Sequence, residues 1–135
     1  MADTIKLEIV TPERTIVDEE VKIVMVPGYD GEFGVLTGHT PFLTSLSVGR
    51  LHFVDSGGAE RHVFVSGGFA EALPEKVTVL AESAERRQQI DLDRARRAKE
   101  RAERRLNAGG PESNIDIPRA KSALLRATHR LAILE

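Results

Sequence analysis

A chain of 135 residues suits one domain, or one domain with an appendage, and its lack of cysteine excludes disulfides, thiolate metal sites, cysteine nucleophiles and dithiol redox chemistry. With 41% apolar and 30% charged residues it can bury a core; no stretch approaches the roughly 20 apolar residues of a membrane span, and the Met1-Ala2-Asp3-Thr4 start lacks a signal-peptide layout. The net charge of −2 is split unevenly: residues 1–84 carry 6 Lys and Arg against 13 Asp and Glu, residues 85–135 carry 13 against 8, so two modules with different surroundings are expected.

The first module, residues 1–84, predicts strands. Ile5, Leu7 and Ile9 alternate with Lys6 and Glu8, the period-2 pattern of a half-buried strand. Glu20–Val26 repeats it, which would put Val21, Ile23 and Met25 on one face. Leu51–Asp55, His62–Ser66 and Val77–Ala81 add short β-branched or alternating runs. Turn signals separate them: Pro27-Gly28, Asp30-Gly31, Gly38, Gly49, Ser56-Gly57-Gly58, Gly67-Gly68 and Pro74. Many short strands with frequent turns predict a β-sandwich or flattened barrel.

The second module, residues 85–135, predicts an antiparallel α-helical hairpin. Asp91 is placed to cap a helix. Leu92, Ala95, Ala98, Ala102 and Leu106 fall on one stripe, and Asp93/Arg97 and Glu100/Arg104 are i,i+4 acid-to-base pairs. Asn107–Asn114, with Gly109-Gly110-Pro111, predicts a loop. Asp116 then caps a second helix, with Pro118 in its first turn and Ala120, Leu124, Ala127, Leu131 and Leu134 on its stripe. An alanine-rich seam buries little area, and at about 25 cal/mol per Å² it holds two helices weakly. Such a hairpin needs support from the β module or another protein, and can have two arrangements.

Motifs for catalysis are missing. His39, His52, His62 and His129 have no metal-ligand spacing and predict isolated surface or loop histidines, with His52 facing away from its strand neighbours Leu51 and Phe53. Ser66-Gly67-Gly68 is not a nucleophile elbow. Gly28–Gly34 superficially resembles a phosphate loop, but it lacks the Gly-Lys-Ser/Thr ending and carries Asp30 and Glu32, so it predicts a turn. The basic helices interleave arginine with Glu100 and Glu103 and have no aromatic residue, which favours a solvated or protein-binding face over a nucleic-acid arm. No catalytic residue and no metal site are expected.

Six segments in order carry a family resemblance. Val26-Pro27-Gly28-Tyr29-Asp30-Gly31-Glu32-Phe33-Gly34-Val35-Leu36 is followed by Gly38-His39-Thr40-Pro41. Val65-Ser66-Gly67-Gly68-Phe69-Ala70-Glu71 is followed by Val77-Thr78-Val79-Leu80-Ala81. Ile90-Asp91-Leu92-Asp93-Arg94-Ala95 and Ala102-Glu103-Arg104-Arg105-Leu106 complete the set. Together they resemble the ε subunit of F-type ATP synthases. The resemblance implies a β-sandwich of about ten strands and a C-terminal helical hairpin. It also implies a non-catalytic rotor subunit of the central stalk that couples rotation between the c ring and the catalytic sector. Its partners would be the γ subunit, the c-subunit ring and the catalytic β subunit with α. Membrane association would be indirect, at the cytoplasmic face of the bacterial inner membrane, and the hairpin would inhibit ATP hydrolysis when extended.

The resemblance also implies residue roles. Glu32 and His39 would lie near the c ring or γ. Arg97, Arg101, Arg104, Arg126 and Arg130 would meet an acidic loop of the β subunit. No cofactor is required, but ATP is implied as a regulatory ligand through the Ile/Leu-Asp-x-x-Arg-Ala motif. That motif is Ile90, Asp91, Arg94 and Ala95 here, joined by Glu85, Arg126 and Arg130. The alternative function is an ATP-binding sensor hairpin without a strong inhibitory role.

Overall fold

The chain, a computed structural model describing residues 4–109 and 114–135, folds as strands followed by two helices. The strands are β1 (Ile5–Val10), β2 (Thr15–Gly28), β3 (Gly31–Val35), β4 (Phe42–Asp55), β5 (Glu60–Ala72), β6 (Lys76–Ala81) and β7 (Ala84–Arg86). A 3₁₀ turn (Arg87–Gln89) leads to α1 (Leu92–Ala108) and α2 (Ile117–Leu134). β1 pairs antiparallel with β2 and parallel with β6, and β6, β5, β4 and β2 are successive neighbours. The five strands therefore close into a ring, with β3 added on β2 and β7 on β5. Closure pairs the backbone edges that an open sheet would expose. Ile5, Leu7 and Ile9 point inward and are fully buried, as their alternation predicts. Leu51 and Phe53 join them while His52 faces the other way.

Three expectations need correction. Val21, Ile23 and Met25 do not share a face. Opposite β4, Val21 pairs with Asp55 and Ile23 with Val54, so β2 carries one extra residue there. Such a bulge reverses which side points inward, and Val24 and Val26 become the core residues. The Gly28–Gly34 turn is also shorter than predicted. Only Tyr29 and Asp30 form it, and Gly31–Val35 returns along β2 with Gly28 opposite Gly31. Phe33 and Val35 supply the inward alternation that the flanking glycines obscured.

Strand number is the third difference. Seven strands, rather than about ten, occur among the described residues, because β2, β4 and β5 run 13 or 14 residues each. Gly49 and Gly67-Gly68 lie inside strands instead of ending them. At Gly68, φ is +119°, and a Cβ would sit 2.0 Å from the Leu80 carbonyl oxygen. Glycine there serves a close backbone approach.

Both predicted caps form: the Asp91 and Asp116 carboxylates accept from the backbone N–H groups of Arg94 and Arg119, each at 3.1 Å. Ala95 and Ala102 of α1 and Ala120 and Ala127 of α2 are buried, as the stripes require, while Leu92 is exposed. Asp93/Arg97 and Glu100/Arg104 form no ion pair among the described residues, where these exposed groups stay solvated. The helix continues through Asn107 and Ala108 of the predicted loop, and Gly110–Ser113 of that loop lie outside the described residues. α2 rests on β4 and β5, and α1 packs on α2.

Candidate functional site between the sheet and the first helix

The hairpin is seated on one small apolar patch. Phe64 of β5, Ile90 and Ile133 are buried together, with Val48 and Leu134 against them. Burying such a side chain fully is worth about 1.5–3 kcal/mol. Arg130 reinforces the seat twice. Its guanidinium stacks over the Phe64 ring at 4.2 Å, and its Nε donates to Glu85 Oε1 at 2.6 Å. Glu85 sits on β7, so this bond ties α2 to the sheet.

Beside that seat a groove of about 650 Å³ opens between the β module and α1. Its size is in the range of small-molecule sites. Glu85, Asp91, Arg94, Ala95 and Arg130 all line it. Sequence reasoning gathered these residues from a resemblance, and the fold brings them to one cleft. Ile90 is not in the groove; it is buried beneath the hairpin with Phe64 and Ile133. Arg126 does not line it either, being one turn before Arg130 on α2.

Arg97 and Arg101 line the groove beside Arg94. At 100° per residue, positions 94, 97 and 101 form a stripe one residue behind the alanine stripe at 95, 98 and 102. The alanine stripe therefore meets α2 at the edge of the cleft, where Ala95 and Ala98 also line it, while the adjoining side presents guanidinium groups. Arg104 is exposed elsewhere on α1. Arg14, from the turn between β1 and β2, and Glu82 complete the walls. Only the tertiary fold reveals those two, since neither belongs to a recognisable sequence pattern. Arg14, Arg94, Arg97 and Arg101 enter no ion pair among the described residues. Glu85, in contrast, is engaged by Arg130, and Asp91 by its capping bond.

Glu32 and His39 are placed apart in their contacts. Glu32, exposed on β3, lies 3.5 Å from His52 Nε2. His39 Nδ1 bonds the Thr40 carbonyl at 2.7 Å, and its ring meets Phe42 edge-on. His52 and His62 are not isolated as predicted. They pair across β4 and β5 with stacked rings 5.8 Å apart, and Glu60 lies 3.4 Å from His52 Nδ1 and 3.7 Å from His62 Nε2. Burial, aided by Arg50, holds the His62 pKa below the ordinary histidine value, against the opposing pull of Glu60. Among the described residues no group of three or more His, Asp or Glu is arranged to hold a metal ion, and no helix is long and apolar enough to cross a membrane.

Comparison with known proteins gives matches over the whole described chain. Residues 4–87 match the family described as "ATP synthase, Delta/Epsilon chain, beta-sandwich domain", and residues 88–135 match its "long alpha-helix domain". The ATP synthase epsilon chain of Desulforapulum autotrophicum is 58% identical over 135 residues, covering 100% of this chain and 98% of that one. The epsilon chain of Nitratidesulfovibrio vulgaris is 51% identical over 133 residues, covering 98% and 97%. Among solved structures, a chain of the Euglena gracilis mitochondrial ATP synthase, determined as an OSCP/F1/c-ring assembly, superposes with a TM-score of 0.85 at 25% identity, covering 100% of this chain and 84% of that one. A chain of the Tetrahymena thermophila enzyme shares the fold, with a TM-score of 0.61 at 11% identity and coverage of 97% and 96%.

Proposed function

The chain belongs to the ATP synthase delta/epsilon chain family, and from that premise we propose that it is a central-stalk subunit whose barrel transmits rotation while its hairpin regulates ATP hydrolysis. The barrel is fastened to the γ subunit and stands on the c ring, at the cytoplasmic face of the bacterial inner membrane. The related Euglena chain, solved within an F1/c-ring assembly, supports this reading. Glu32 and His39 contribute to the surface toward the c ring or γ.

One observation carries the regulatory half: the hairpin meets the sheet in a cluster of three buried side chains, one of them its own Ile133, beside a barrel core of twenty. The barrel is thus a single rigid body, and the hairpin can separate from it at a small cost. On release, Arg97, Arg101, Arg104, Arg126 and Arg130 become available to an acidic loop of the catalytic β subunit. Charge complementarity of that kind orients the contact and speeds its formation.

The groove favours a second element, ATP as a regulatory ligand. Glu85 and Asp91 are the acceptors suited to the base amino group or the ribose. Arg94 and Arg130 suit the phosphates, because a guanidinium fork matches phosphate oxygens. Ala95 shapes the apolar side, Ile90 supports it from the buried patch next to the groove, and Arg126 adds charge from the neighbouring turn of α2. A ligand bound only in the parked state stabilises it by RT ln(1 + [L]/Kd) and so relieves inhibition.

The test is ATP hydrolysis by the assembled complex with and without residues 88–135, a truncation that keeps β7 on its sheet. Removal is expected to raise hydrolysis. Equal rates would eliminate inhibition from the function. In the same complex, a cysteine placed at Glu32 should crosslink to the c-subunit loops, and failure to do so would count against that contact.

A further inference from the structure

Arg14 faces α1 across the groove from the β module. Its backbone is held by the preceding threonine. Thr11 N–H donates to the Arg14 carbonyl at 2.9 Å, and Thr11 Oγ1 accepts from the N–H groups of Glu13 and Arg14 at 3.3 and 3.2 Å. The turn therefore presents its arginine from a fixed base, which lowers the cost of binding. The side chain itself is exposed and makes no ion pair among the described residues.

Charge in the groove does not balance. Glu85 and Asp91 are already engaged by Arg130 and by the α1 cap. Five arginines line the groove (Arg14, Arg94, Arg97, Arg101 and Arg130) against Glu13, Glu82, Glu85 and Asp91, and of these arginines only Arg130 enters an ion pair among the described residues. Guanidinium groups without an ion-pair partner, presented from both walls of one cleft, attract a compact polyanion. α1 packs mainly on α2, so an anion held from both walls would add a direct link between α1 and the sheet.

We propose that Arg14 is the barrel's own contact to the phosphate chain of a nucleoside triphosphate in this groove, so that the ligand bridges barrel and α1. The proposal rests on the nucleotide reading above. It adds a ligand contact from outside the helical module and a physical route by which binding fastens the hairpin.

Titration of the full chain with ATP, inorganic triphosphate and adenosine tests it, with circular dichroism to verify folding of each variant. Arg14→Ala should weaken ATP and triphosphate about 10-fold, flatten their salt dependence and leave adenosine unchanged. Arg14→Lys should fall between the two. Unchanged ATP affinity in Arg14→Ala, with saturable binding by the unmodified chain, overturns the role of Arg14 and leaves the nucleotide reading intact. Equal weakening of adenosine also overturns it, marking a structural effect of the substitution. No saturation of the unmodified chain at millimolar ATP overturns both.

Discussion

His62 shows how one residue can carry a pH dependence that its sequence neighbourhood does not reveal. Arg50, Glu60, His52 and Arg87 all face it, and burial is the strongest influence, lowering its pKa. A histidine whose folded pKa lies below about 6.5 binds fewer protons folded than unfolded, so its stabilisation is complete above that pH and is lost as pH falls toward the folded value. The urea midpoint should drop between pH 7.5 and 5.5, and His62→Gln should reduce the drop. A midpoint independent of pH in that window would contradict this. Asp55 does not confuse the comparison. The Ala59 N–H and then Arg61 hold its pKa below the usual carboxylate range, so its effect appears only in stronger acid. Position 62 was legible as a strand residue, since alternation is local. Its pairing with His52 was not, because β4–β5 register is a long-range property.

At the element scale, the helices were legible to their caps. Asp91 and Asp116 act within three residues of themselves, and the stripes follow from helical periodicity alone. Where α2 docks was not legible. Arg130 looks like one more surface arginine until β7 supplies Glu85 and β5 supplies Phe64. Loss of a cation–π contact and a charge-assisted hydrogen bond should cost the docked state on the order of 1–2 kcal/mol. Arg130→Ala should accordingly increase the separation of α2 from the sheet, read as a longer distance between spin labels on α2 and β2. An unchanged distance distribution would show that the apolar patch alone holds the hairpin.

For the molecule as a whole, the contrast between a closed barrel and a lightly seated hairpin predicts unequal stability. Amides of α1 and α2 should exchange with solvent through an opening that leaves β1, β2 and β5 protected. ATP should slow exchange in the helices and leave the strands unchanged. Hydrogen exchange followed by mass spectrometry checks this, and a single protection level throughout would mean that barrel and hairpin open together. The order of elements, the change from strand to helix, both caps and the alanine seam were determined by the sequence alone. Each depends on side-chain periodicity or on bonds that span only a few residues. Tertiary structure decided the bulge that turns Val24 and Val26 inward, the continuity of strands through Gly49 and Gly68, and the groove joining Arg14 to α1. Those features depend on register and on surfaces meeting from distant segments, and no local pattern encodes which residues will lie opposite one another.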